Sequence, residues 1–304
     1  MRLIPVQSLD DPRLRPYATM RDAELRHRED PTNPVLAGPD RDRGGGGAFM
    51  AEGELVVRRL IESRFAVESV LLTPTRLRTV EDALTRLPPE TPIYLAEQGV
   101  MNAVVGFNIH RGILAVGLRG RDPDPLELAR QARTLLVLED LVNHDNLGAM
   151  FRNAAALGGE GTAILLSPRC ADPLYRKALR VSVGYALHVP FARASSWPGI
   201  LADLRAMGFH VLALTGTPGA EDIVDVARDF EQASGQPRLA LLLGTEGAGL
   251  TPEAMAAADR RVRIAMAPGV DSLNVAVAAA VALHRLVSPD GQDRGTPGPV
   301  RDIS

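Results

Sequence analysis

The chain has 304 residues, 45% hydrophobic and 23% charged, which is long enough for two compact domains with cores of their own. A formal net charge of -3 excludes a globally basic binder of polyanions, so any nucleic-acid surface has to be local. A single cysteine, Cys170, excludes an internal disulfide framework and a cysteine-built zinc cage, and no metal is expected. Lys177 is the only lysine among many arginines, in a sequence equally rich in Ala and Gly, so the arginine total carries no weight for phosphate binding. The opening "MRLIPVQSLDD" has no apolar core of signal-peptide length, and the longest apolar run, Val275 to Leu283, is far below the roughly 20 residues of a membrane span. A cytoplasmic protein with no membrane partner is expected.

Residues 1–47 are polar and proline-bearing and end in "RDRGGGG", which reads as a poorly ordered arm that packs little, with a flexible joint. Then "AEGELVVRRLIESRF" carries an apolar stripe at helical spacing, "VESVLLT" suits a strand, "VEDALTRL" a helix, and "PIYLAE" and "GILAVGL" two more strands. That alternation implies a small α/β domain over 48–120, followed by a linker over 121–133 that turns into a short helix. A second series opens with "TLLVLED", whose continuous aliphatics fit a strand buried on both faces of a parallel sheet. Next come the helix "NHDNLGAMFRNAAALG", strand "GTAILLS", helix "PLYRKALRVSV", strand "ALHVPFA", helix "WPGILADLRAMG", and strands "FHVLALTG" and "RLALLLGTE". Helix "TPEAMAAAD", strand "RRVRIAM" and a long helix from Ser272 to about Val287 close a domain over 134–288, and 289–304 read as a flexible tail.

In an open α/β sheet, ligands collect beyond the carboxyl ends of the strands, so the loops after the strands are the candidate sites. After "TLLVLED", Asn146 is placed to cap the next helix, while Gly148 and Arg152 share one helical face. Arg152 leans back over Gly148, where a missing side chain leaves room for a ligand. In "LLLGTEGAGLTPE", Gly244, Gly247 and Gly249 let backbone approach a ligand, and Thr251 and Pro252 suit the cap and first residue of a helix. The carboxylate of Glu246 and the absence of a nearby lysine argue against a phosphate loop and for an uncharged or cationic ligand, or an arginine. In "IAMAPGVDSLNVAVAAAVAL", Ser272 is placed to cap an alanine-rich, buried helix with Asn274 in its first turn.

Taken together, "NLGAMFRNA", "LLLGTEGAGL" and "IAMAPGVDSLNVAVA", in that order, resemble the three motifs of the SpoU (TrmH-type) RNA ribose 2′-O-methyltransferases of the SPOUT superfamily. The resemblance covers about 134–287. The domain before it resembles the RNA-binding domain, similar to ribosomal proteins, often fused in front of such enzymes. What the resemblance implies is an α/β fold whose C-terminal parallel-sheet domain is tied in a trefoil knot. It also implies homodimerisation through that domain, a substrate of rRNA or tRNA with rRNA favoured, and S-adenosylmethionine as methyl donor. By motif position, Gly244, Ile264, Leu273, Met266 and Gly269, with Thr215 from a neighbouring loop, would line the donor pocket. Arg152 would act at the target ribose, with Asn146, Glu246, Ser272 and Asn274 as the other polar catalytic positions and Glu246 orienting Arg152 or the donor's amino end. Arginine is a poor base because a neutral guanidine is costly, so a clamp on the phosphate beside the 2′-hydroxyl is the expected role. Ala265 stands where the family usually has proline. Two other classes fit parts of the sequence: a catalytically inactive knotted RNA-binding protein, and a Rossmann-type methyltransferase or dehydrogenase, which wants a tidier glycine turn than "LEDLVNHDNLG". Methylation at another RNA position is a further alternative.

Overall fold

The computed structural model describes residues 1–8, 10–18, 25–26, 47–105, 112–233 and 237–287. The glycine run at 44–46 and the tail at 289–304, read as joint and tail, lie outside the described residues.

The first layer holds β1 (Arg2–Pro5), α1 (Arg15–Ala18), β2 (Ala48–Glu52), α2 (Glu54–Ile61), β3 (Val67–Leu72), α3 (Pro74–Leu84), β4 (Pro92–Leu95), α4 (Gln98–Val105) and β5 (Ile113–Leu118). Its sheet runs β1-β4-β3-β5-β2, with β1, β4 and β3 parallel and β5 antiparallel to both its neighbours. The expectation that residues 1–47 pack little fails for Arg2–Ala18. There β1 pairs with β4, Leu14 and Tyr17 are buried, and the Tyr17 hydroxyl shares a buried hydrogen bond with Ser69 Oγ at 2.7 Å. An edge strand of four residues leaves almost no periodic trace, so the contact was invisible locally.

The second layer is built from α5 (Pro125–Gln131), β6 (Thr134–Leu138), α6 (His144–Leu157), β7 (Thr162–Leu166), α7 (Arg176–Val181), β8 (Phe191–Arg193), α8 (Ile200–Ala206), β9 (Phe209–Leu214), β10 (Glu221–Asp222), α9 (Ile223–Gln232), β11 (Arg238–Leu243), α10 (Pro252–Ala257), β12 (Arg260–Arg263) and α11 (Val275–Leu286). Its strands are all parallel in the order β10-β12-β9-β11-β6-β7-β8. Strand residues alternate between two cores. Leu136, Leu138, Ile164, Leu212 and Leu241 face Leu147, Met150 and Phe151 of α6 and the alanines of α11, whereas Leu135, Val137, Leu165, Val211 and Leu242 face α5 and α8. The uninterrupted aliphatics are thus explained by helices on both sides of the sheet. Each fully buried side chain of that size contributes about 2 kcal/mol. One short strand and one helix were not expected: β10 and α9, the latter capped by Asp222 and burying Ile223, Val226 and Ala227. The strand expected over "ALHVPFA" is instead a 3-10 turn, Tyr185–Leu187, followed by the three residues of β8.

The two layers share one apolar cluster, in which Phe49, Val70 and Ile113 of the small sheet and Val57 of α2 are continuous with Leu136, Leu147, Leu179 and Leu187. Beside it lies a buried ion pair. Arg119 Nη2 meets Asp172 Oδ1 at 2.9 Å and Oδ2 at 2.8 Å, and Arg26 Nε approaches Oδ2 at 3.5 Å. Arg180 reaches Glu52 at 3.3 Å. Among the described residues no helix is long and apolar enough to cross a membrane.

Candidate active site

The register pairs β11 with β6 and with β9, and β12 with β9, so the loops after these strands emerge at one edge of the sheet. The loop after β11 folds back on itself. Thr245 bridges Gly249, whose N–H donates to the Thr245 carbonyl at 3.0 Å. A Cβ on Gly244 would lie 2.2 Å from the Gly249 carbonyl carbon and 2.4 Å from Leu250 N, so this turn closes only over a glycine. Thr251 caps α10 by accepting from Ala254 N–H, with Pro252 as first helical residue, as the sequence suggested. The loop after β12 approaches the loop after β9, where an added Cβ on Gly216 would sit 3.2 Å from the Asp271 carbonyl oxygen.

These loops enclose a cavity of about 650 Å³. Gly244, Ile264, Leu273, Met266 and Thr215 line it, with Glu246, Ser272 and Asn274. Gly269 is not among the lining residues; at φ 84° it forms the turn in which Val270 N–H donates to the Ala267 carbonyl. The charged side chains that line the cavity are Glu246 and Asp271, both acidic.

At the cavity rim the three motifs meet through one residue each. Asn146 Nδ2 donates to Glu246 Oε1 at 2.5 Å, and Asn274 Nδ2 donates to Asn146 Oδ1 at 2.9 Å and to Glu246 Oε1 at 3.3 Å. Asn274 also caps α11, its Oδ1 accepting from Ala276 N–H at 2.9 Å and Val277 N–H at 3.3 Å. This corrects two expectations. Asn143, not Asn146, caps α6 by accepting from Asp145 N–H, which frees Asn146 for Glu246; Ser272 donates to Asp271 Oδ1 rather than capping α11. Seven residues beyond Asn146 on the same face, Asn153 Nδ2 donates to the Ala276 carbonyl at 2.7 Å and holds α6 against α11.

Gly148 is also reassigned. A Cβ there would stand 2.7 Å from the Ala178 carbonyl oxygen and 2.8 Å from Val181 Cβ, so the missing side chain admits the backbone of α7 and not a ligand. Arg152, one turn further along, is exposed and outside the cavity lining, and it makes no hydrogen bond or ion pair among the described residues. Glu246, held by two asparagines, does not orient it.

Sequence reasoning missed Glu139. This carboxylate, 1% exposed at the end of β6, accepts from Thr251 N–H at 2.8 Å, Thr251 Oγ1 at 2.7 Å and Trp197 Nε1 at 2.6 Å. Its backbone N–H donates to the Leu243 carbonyl, so both ends of the 244–250 loop are tied to one residue. An acid directly after the aliphatic run Leu135–Leu138 was the available signal. Glu139→Gln keeps the shape but turns one acceptor into a donor facing donors. It is expected to lower the unfolding free energy by about 2 kcal/mol, read from the shift of the urea midpoint.

The comparisons with known proteins bear on this geometry. A family model described as the SpoU rRNA Methylase family matches residues 133–284. A Mycobacterium bovis protein named "uncharacterized tRNA/rRNA methyltransferase" is 41% identical over 275 residues, covering 90% of this chain and 88% of its own. The 23S rRNA (guanosine(2553)-2′-O)-methyltransferase of Bacillus subtilis is 29% identical over 250 residues, covering 81% of this chain and 91% of its own. The crystal structure of an AdoMet-bound rRNA methyltransferase from Sinorhizobium meliloti superposes with a TM-score of 0.69 at 22% identity, covering 93% of this chain and 97% of that one, which shows a shared fold.

Proposed function

This chain belongs to the SpoU rRNA methylase family, and from that premise we propose that it methylates a ribose 2′-hydroxyl of RNA, with rRNA favoured over tRNA, using S-adenosylmethionine. The observation that carries the reading is the contact of Asn146, Glu246 and Asn274, three residues far apart in sequence, at the rim of one cavity.

The cavity fits the donor on its chemistry. About 650 Å³ lies within the roughly 300–1,000 Å³ of ligand pockets. Leu214, Ile264 and Leu273 offer apolar walls for an adenine, the glycine loop offers backbone polar groups, and a lining whose charges are all negative suits a cationic sulfonium and repels a phosphate. When bound, S-adenosylmethionine supplies a methyl group on a positively charged sulfur. The chain's own residues do the rest. Glu246 and the two asparagines hold the loops in a fixed shape before the donor enters, which lowers the ordering cost of binding. Arg152, exposed on α6 six residues after Asn146, clamps the phosphate next to the target ribose, sets the angle of the 2′-hydroxyl and lowers its pKa by its charge, while the proton leaves to water.

Three further parts of the reading rest on the family. The close approach of Gly216 to Asp271 and the tight closure at Gly244 are in keeping with a trefoil knot in the domain over 134–288, which rests on the family resemblance. The outward face of α11, with Val277 at 50% and Val281 at 37% exposure, supports a homodimer through that domain. The domain over 48–120 serves as the RNA-recognition half, resembling ribosomal proteins, and the protein works in the cytoplasm.

The test is transfer of labelled methyl from S-adenosylmethionine to bulk rRNA and tRNA from a strain lacking the chain, followed by digestion to nucleosides. Label is expected on ribose; label on a base would refute the reaction type. Arg152→Ala is expected to reduce kcat by about 100-fold to 1,000-fold, the range seen on removing one transition-state donor, with the Kd for S-adenosylmethionine unchanged.

A further inference from the structure

A second cavity, of about 560 Å³, lies on the seam between the two sheets, away from the donor pocket. Arg59 and Glu62 of α2 form one wall, and Gln131, Ala155, Tyr185 and His188 belong to the larger half. The Arg59 guanidinium lies over the Tyr185 ring, 3.9 Å from its centroid, and Nη1 donates to the Val183 carbonyl. The ring of His188 shares Nε2 with the Arg59 carbonyl at 3.0 Å.

The backbone here is held in an unfavourable shape. Val183, a β-branched residue, has φ 54°, and Gly184 follows at φ 86° with its missing Cβ 3.2 Å from Arg59 Cδ. A non-glycine residue in the left-handed region costs on the order of 1–3 kcal/mol and persists where surrounding contacts over-determine it, commonly at ligand sites. Val183 lies two residues before Tyr185, and its carbonyl accepts from the same Arg59 that covers that ring.

Ala155 ties this crevice to the methylation site. It is exposed, lies three residues after Arg152 on α6, and is therefore a surface neighbour of that arginine. The crevice is thus reached within one helical turn of Arg152.

We propose that this crevice takes an unpaired nucleobase of the substrate RNA, next to the nucleotide that is methylated. The proposal rests on the reading that Arg152 meets the target ribose. A guanidinium laid on an aromatic ring is a planar platform that a base extends by stacking, and single-stranded RNA is recognised mainly by such stacking and by hydrogen bonds to base edges. Gln131, whose Nε2 donates to Glu127 at 3.3 Å, and Glu62, whose Oε1 accepts from Arg86 at 2.7 Å, keep further polar atoms for those edges. The crevice lacks a cluster of cations, so it suits a base more than a phosphate. Because both halves of the molecule build the wall, the base is read in a space that exists only when the halves are docked.

The experiment uses the full chain and bulk rRNA and tRNA from the deletion strain. Ala155→Trp fills the crevice from an exposed position, and Arg59→Lys keeps the charge but removes the planar stack. Each is expected to raise the KM for RNA about tenfold, the effect of losing one stacked base, while kcat and the KM for S-adenosylmethionine stay within about twofold. Ultraviolet cross-linking followed by peptide mass spectrometry is expected to place RNA adducts within residues 183–190, lost in Ala155→Trp. An unchanged RNA KM in both variants, or adducts only elsewhere, overturns the proposal. Should Arg152→Ala retain full activity, the role of Arg152 fails; the adducts then decide the crevice by themselves.

Discussion

Asp172→Ala is expected to destabilise the folded chain by about 3–5 kcal/mol, the cost of leaving one member of a buried ion pair without its partner. The side chains of Asp172 and Arg119 are 1% and 4% exposed, so water does not rescue the abandoned guanidinium. Its Nε already lacks a hydrogen-bond partner among the described residues, because Arg119 meets the carboxylate through Nη2 alone. At about 2–4 °C per kcal/mol for a chain of this size class, calorimetry is expected to show a Tm lowered by roughly 6–20 °C. Replacing both partners, Arg119→Met with Asp172→Leu, is expected to recover part of the loss, since the fully buried guanidinium goes with its carboxylate while Arg26, its side chain 32% exposed, keeps access to water. The pair also sets an acid limit. Burial pushes the Asp172 carboxyl up, but the charge and hydrogen bond of Arg119, with the charge of Arg26, outweigh it and hold the group below its usual range. A carboxyl depressed in the folded state contributes stability that is present above its unfolded pKa of about 3.9 and is lost as pH falls through the lower folded value. The stability gap between the native chain and Asp172→Ala is therefore expected to narrow below about pH 4, measured by urea titration across pH.

If, as proposed, preorganised backbone groups of the 244–250 loop grip the donor, Gly244→Ala is expected to raise the Kd for S-adenosylmethionine at least about 100-fold in calorimetry. The obstacle is backbone against backbone. The added methyl would overlap the Gly249 carbonyl carbon at 2.2 Å, and only opening the 244–250 loop relieves it. Gly247→Ala serves as the comparison. It has open space around its Cβ but φ 82°, so it bears only a left-handed backbone penalty of about 1–2 kcal/mol and keeps the loop closed. Equal loss of binding in the two variants would mean that loop closure is not what holds the donor.

How much of this was legible depended on distance along the chain. The strands β6 and β11 were readable because an aliphatic run without polar interruption, short and bounded by polar turns, fits little besides a strand covered on both faces. Helix α9 was readable too and was missed: Asp222 precedes Ile223, Val226, Ala227 and Phe230 at helical spacing, but the segment carries no motif. Asn146, Glu246 and Asn274 were identified by their motifs, whereas their mutual hydrogen bonds span 100 and 128 residues and no local pattern encodes them. Gly148 shows the converse limit. A glycine beside an arginine marks a close approach, and periodicity cannot say whether a ligand or a neighbouring helix makes it; here α7 does.

The apolar cluster that runs unbroken from Phe49 and Val70 to Leu147 and Leu187 makes the two sheets one solid body, and the ion pair and the Arg59 shelf lie along the same seam. A molecule built so behaves as a caliper with welded jaws. On the proposed reading, the span between whatever the small sheet grasps and the oxygen presented to Arg152 is a constant of the protein, and the bending needed to bridge it falls to the RNA.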